Sequence, residues 1–108
     1  ELMENDNRMR FRRDFLKVYQ HGSVRFGRYL VMHLLPVSDS PTKVGISVSR
    51  KVGNAVIRNR IKRKLREIIR LNWEQIPEKH YLVISAKSRS KDASYQGLEA
   101  DFDRLLKG

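Results

Sequence analysis

The chain has 108 residues and no cysteine, and its 23 Lys and Arg against 12 Asp and Glu give a net charge of +11. That length suits one domain able to bury about two-thirds of its unfolded surface without staples. The lack of Cys excludes disulfides and thiolate metal sites. The longest apolar run is too short to cross a bilayer and no basic-then-apolar leader opens the chain, so a soluble cytoplasmic protein is expected.

In chain order, residues 1–7 are polar, with three acids and no base, and read as a flexible N-terminus preceding a single domain over 8–108. Phe15, Leu16, Val18 and Tyr19 followed by Gly22 predict a first helix over 12–21. The Val- and Leu-rich stretch 29–37 and the alternating Val44, Ile46 and Val48 of 43–49 predict two antiparallel strands joined by the Ser-Asp-Ser-Pro turn, with room for an edge strand at 23–26. Gly53 and Asn54 turn the chain into a second helix that runs to about Asn72. Pro77 separates it from a strand over 81–86. Ser94 is a candidate N-cap for a last helix carrying Tyr95, Leu98, Phe102, Leu105 and Leu106. The pattern predicts one α+β domain with its helices on one side of a small sheet.

Charge is concentrated unevenly. Residues 8–70 hold 17 bases and three acids, whereas 71–108 hold six of each. Between Ser49 and Arg70, nine of 22 residues are Lys or Arg and the one acid is Glu67. At 100° per residue Ile57, Ile61, Leu65 and Ile68 form a core-facing stripe. Asn59, Arg63, Arg66 and Arg70 lie opposite, with Arg58 and Lys62 on one flank and Arg60 on the other. Like charges three and four apart repel, so such a face costs stability and points to a polyanion. Nucleic acid fits better than a small metabolite, and an anionic membrane fits less well because the apolar stripe reads as core-facing. Arg58-Asn59-Arg60 is expected near the helix N-terminus, where backbone donors and the dipole favour phosphate.

Phe15 and Tyr19, four residues apart among Arg10, Arg12, Arg13 and Lys17, read either as ordinary core or as a stacking platform for unpaired bases. His21, His33 and His80 lack the spacing of metal ligands and read as structural. Glu99, Asp101 and Asp103 read as solvated helix positions rather than a metal cluster. No nucleophile elbow, phosphate loop or carboxylate pair accompanies the basic surface, so hydrolysis by the polypeptide itself is unsupported.

The segment GISVSRKVGNAVIRNRIKRKLRE strongly resembles the signature region of the bacterial ribonuclease P protein subunit, and RMRFRRDFLKVYQHG is similar to the start of that family's domain. The likeness runs from about Arg8 to Leu106. It implies a compact α-β-β-β-α-β-α domain, a ribosomal-protein-like RNA-binding fold with a small mixed sheet and an unusual left-handed βαβ crossover. It also implies that a large RNA performs a Mg2+-dependent cleavage freeing the mature 5′ end of tRNA, the Mg2+ being bound mainly by that RNA. The protein would bind the catalytic RNA and the 5′ leader of precursor tRNA, with no membrane and no obligate protein partner. By the same resemblance Arg50, Lys51, Asn54, Arg58, Asn59, Arg60, Lys62, Arg63 and Arg66 would contact the catalytic RNA. Arg12, Phe15, Tyr19 and His33 would contact the leader, His33 standing where the family often has Tyr. The competing expectations are a ribosomal or other structural RNA-binding protein and a nuclease that needs no RNA.

Overall fold

The computed structural model describes residues 7–108. In chain order these form α1 (Arg12–His21), β1 (Ser23–Phe26), β2 (Leu30–Pro36), β3 (Lys43–Ser47), α2 (Ala55–Leu71), β4 (His80–Ala86) and α3 (Tyr95–Lys107). Short 3-10 turns at Trp73–Gln75 and Ser88–Asp92 flank β4. The flexible start expected over 1–7 lies outside the described residues except for Asn7, whose side-chain amide donates to the Thr42 carbonyl at 2.7 Å.

The four strands form one sheet in the order β1-β2-β4-β3, antiparallel at the first two junctions and parallel at β3–β4. The expected β2–β3 pairing is therefore corrected. The two strands do run in opposite directions, but β4 inserts between them. The turn at 38–42 gives the chain reversal, while the fully buried run Tyr81–Ile84 of β4 takes the central place that needs apolar side chains on both faces.

Strand parity divides the sheet into two unlike faces. Leu30, Met32 and Leu34 of β2, Val44 of β3, and Leu82 and Ile84 of β4 point to the face covered by α2 and α3. There they pack with Ile61, Leu65, Ile68, Ile69, Leu98, Phe102 and Leu105 in the main core. Tyr81 and Val83 point the other way, packing with Met9, Val18, Phe15, Leu35 and Val37 under α1. The expectation of helices on one side fails for α1, which lies on the opposite face from α2 and α3. β2 carried the clue, since one of its alternating sets, Leu30/Met32/Leu34, is apolar and the other, Val31/His33/Leu35, is apolar except for His33.

The helix ends follow local chemistry. Asn54 caps α2 by accepting the Ile57 N–H at 3.0 Å, and Ser94 caps α3 by accepting the Gly97 N–H at 3.0 Å. Gly22 ends α1 with its N–H on the Val18 carbonyl at 2.8 Å. A Cβ there would lie 2.7 Å from the carbonyl oxygens of both Val18 and Leu34, so close backbone approach selects the glycine.

Asp101 is not solvated, as its place among exposed acids suggested. It is 1% exposed and accepts the N–H groups of Arg28, Tyr29 and Leu30 at 2.9 to 3.0 Å while pairing with Arg104. It thereby locks the β1–β2 turn to α3. The Arg25 guanidinium reinforces this by donating to the Leu105 carbonyl at 2.7 Å.

Candidate nucleic-acid interface

The apolar stripe of α2 is buried at Ile61, Leu65 and Ile68, half-buried at Ile57, and gains Ile69. The remaining circumference is almost wholly cationic. Asn59, Arg60, Arg63 and Arg66 are exposed, as are Arg50 and Lys51 in the preceding turn, while Arg58 and Lys62 are half-buried on the flank. Glu67 is held by Arg70, and this hydrogen bond keeps its carboxyl below the usual carboxylate range. Among the described residues Arg58, Arg60, Lys62, Arg63 and Arg66 therefore have no ion-pair partner. The Arg58 Nε is enclosed yet has no hydrogen-bond acceptor. The exposed groups of Arg60, Arg63 and Arg66 are open to an anion from outside the chain.

Asn54, expected to touch RNA, also caps the helix through its side-chain oxygen, a bond that does not use its amide N–H groups. One expectation about the start of this helix needs correcting. The Arg58 N–H already bonds the Asn54 carbonyl at 2.9 Å, so Arg58-Asn59-Arg60 begins a turn inside the helix, beyond the unpaired backbone donors. Any anion contact by Arg58 and Arg60 would therefore be made by their side chains and not by the helix end.

Two clefts meet at Phe15. The first, of about 510 Å³, is lined by Arg10, Arg12, Phe15, Leu16, Tyr19 and Ser47, between α1 and the β3 side of the sheet. The second, of about 250 Å³, runs past the β3 edge and is lined by Arg8, Met9, Phe15, Val44, Gly45, Ile46, Lys62, Arg66 and Ile69. Phe15 lies against Gly45, where a Cβ would come 2.5 Å from its Cζ. The absent side chain of β3 thus makes the seat for the ring. Tyr19 is 39% exposed and meets His33 edge to face, with ring centroids 4.9 Å apart. The His33 Nδ1 is enclosed without a partner, and burial lowers the imidazole's pKa from 6.5, which favours the neutral ring.

The structure thus brings Arg12, Phe15 and Tyr19 to one cleft and sets His33 beside Tyr19. It also joins the two expected surfaces, because Lys62 and Arg66 share a cleft with Phe15. Sequence reasoning missed Arg8, Ser47 and Gly45. Arg8 is placed by a one-residue parallel bridge to Val44, and the Met9 N–H bonds the Val44 carbonyl at 2.9 Å. The GISVS alternation could have marked Gly45 and Ser47 as facing one side together.

A cationic helix flank joined to an open aromatic cleft suits RNA with unpaired bases, and comparison with known proteins narrows this to one family. The ribonuclease P family model matches residues 3–108. The chain belongs to the ribonuclease P protein family. It is 39% identical over 107 residues to the ribonuclease P protein component of Clostridium novyi, covering 97% of this chain and 95% of that one. The fold is similar to that of the Staphylococcus aureus RNase P protein, with a TM-score of 0.86, 29% identity and coverage of 94% and 93%. The Thermotoga maritima RNase P protein gives a TM-score of 0.83 at 31% identity, with coverage of 93% and 94%. Ribonuclease P membership makes this chain part of a tRNA-processing ribonucleoprotein enzyme and a partner of ribonuclease P RNA. Among the described residues, no group of three or more His, Asp or Glu could hold a metal ion. No helix among them is long and apolar enough to cross a membrane.

Proposed function

We propose that the chain acts as a non-catalytic adaptor: the ribonuclease P RNA cleaves, and the protein binds both that RNA and the single-stranded 5′ leader of precursor tRNA. The α2 surface of Arg58, Arg60, Lys62, Arg63 and Arg66, with Arg50 and Lys51, lies against phosphates of the catalytic RNA. The cleft of Arg12, Phe15 and Tyr19, with His33 behind Tyr19, takes the leader. Mg2+ is held mainly by RNA phosphates. Fixed cations beside crowded phosphates lower the number of metal ions the assembly needs. The complex works in the cytoplasm.

The observation that carries this reading is the position of Phe15 at the meeting point of both clefts, so that one surface spans from cations to the half-buried Phe15 and exposed Tyr19 rings. Stacking on such rings tolerates any base but requires an unpaired one, as a leader offers and a tRNA stem does not. Leader contacts exist before cleavage and vanish after it, so the protein strengthens substrate binding without holding product. The test is to measure holoenzyme binding of precursor and mature tRNA with Phe15→Ala. Precursor binding is expected to weaken by about 1 to 3 kcal/mol with mature tRNA binding unchanged. An equal loss for both would reject the leader assignment.

A further inference from the structure

Phe26 has no role in the surface described so far, yet at 75% it has the greatest exposure of the large apolar side chains described. A single exposed Phe is ordinary on a protein surface. Its register makes it more than that. Phe26 stands directly opposite Val31, Val31 opposite Ser85, and Ser85 beside Ser47, so the four point to the same face, the one that carries α1. α1 covers the neighbouring row, where Val83 packs with Val18, Tyr19 meets His33, and Phe15 sits over Gly45. The Phe26–Ser47 row is the strip that α1 leaves open, with Val31, Ser85 and Ser47 all partly accessible.

This strip joins the leader cleft at Ser47 and ends at Phe26, three strand spacings or roughly 14 Å away. Its far end is cationic. The Lys87 ammonium bonds the Gly27 carbonyl at 2.5 Å, next to Phe26, and Arg89 is exposed two residues on, whereas Arg28 lies over the Tyr29 ring. The carboxylate adjoining Gly27, that of Asp101, is buried and occupied by backbone donors and Arg104. Phe26 also borders a small cleft with Arg25, Arg104, Leu105 and Gly108 at the end of α3, but most of its surface remains open.

We propose that Phe26 is a second stacking post for the single-stranded leader, taking a base farther along the strand than those held at Phe15 and Tyr19, with Lys87 supplying charge for the adjoining phosphate. This rests on the leader-binding reading above. An aromatic ring beside a cation at the end of an open strip matches the alternation of base and phosphate in an unpaired strand. Pairing of a second copy along β1 is disfavoured by that strand's four-residue length and its Arg25.

The experiment compares holoenzymes carrying wild-type chain, Phe26→Ala, Phe26→Trp or Phe15→Ala on precursors with leaders of about two or about ten nucleotides, together with mature tRNA. Phe26→Ala is expected to weaken the long-leader precursor by about tenfold and to leave the short-leader precursor and mature tRNA unchanged, while Phe26→Trp retains binding. If Phe26→Ala changes nothing while Phe15→Ala weakens precursor binding, Phe26 is no stacking post although the leader cleft stands. If neither variant has an effect, the leader reading falls as well. A loss that ignores leader length, or a change only in sedimentation mass, would also overturn the proposal, the latter in favour of a second copy.

Discussion

The two faces of the sheet are built by the same strands yet do opposite work. On the α2/α3 side Leu30, Met32, Leu65, Ile68, Leu82, Ile84, Leu98 and Phe102 are all fully buried. On the α1 side Val18 and Val83 are sealed, whereas Phe15 and His33 are only half-buried and Tyr19, Leu16 and Phe26 are exposed. One helix on a face that accommodates two leaves a groove. Closed packing on one side therefore supplies the rigidity that lets the other remain open, and cations from α2 reach around the β3 edge to charge it.

Breaking the closed side should cost stability far more than binding. Asp101→Ala strands the buried N–H of Leu30 and the part-buried N–H groups of Arg28 and Tyr29, and a loss of about 3 to 5 kcal/mol in unfolding free energy is expected from urea denaturation. The folded fraction should keep its preference for precursor over mature tRNA. Gly45→Ala lies on the open side and should cost binding as well as stability. The new Cβ forces Phe15 from its seat, with an expected stability loss of about 1 to 3 kcal/mol and a parallel loss of precursor binding. Intact precursor binding by this variant would show that the seat of Phe15 does not matter.

Smaller effects sharpen the contrast between cations and rings. Arg63→Ala should reduce the slope of log affinity against log salt for the catalytic RNA by about one, whereas Phe15→Ala should leave that slope unchanged. The smallest effect concerns His33. Its pKa is lowered by burial in the fold, so the unfolded chain binds the proton first. Stability is full above the unfolded value of 6.5 and falls as pH drops through the lower folded value. His33→Phe should flatten this part of the stability profile, measured by denaturation at neutral and mildly acidic pH.

Much of this was legible because local chemistry dictates it. The Phe15-to-Gly22 pattern, the Asn54 and Ser94 caps and the Ile57/Ile61/Leu65/Ile68 stripe each act within one helix, where spacing alone decides the outcome. The order of strands was not legible, because the Ser-Asp-Ser-Pro turn gives a reversal but not a neighbour, and only tertiary packing puts β4 between β2 and β3. The union of the two candidate surfaces was hidden for the same reason. Phe15 and Lys62 lie far apart in sequence and meet only because Gly45 lets α1 approach the β3 edge. Asp101 misled by composition: an acid among acids on a helix reads as solvated until a turn from the other end of the chain presents its N–H groups.

The most direct test of the adaptor account is cleavage of precursor tRNA at low Mg2+ by purified chain and ribonuclease P RNA, each also assayed alone. The expected result is rapid release of the leader by the mixture, slow release by the RNA and none by the protein. Cleavage by chain rigorously freed of RNA, or a mixture no faster than the RNA alone, would contradict it.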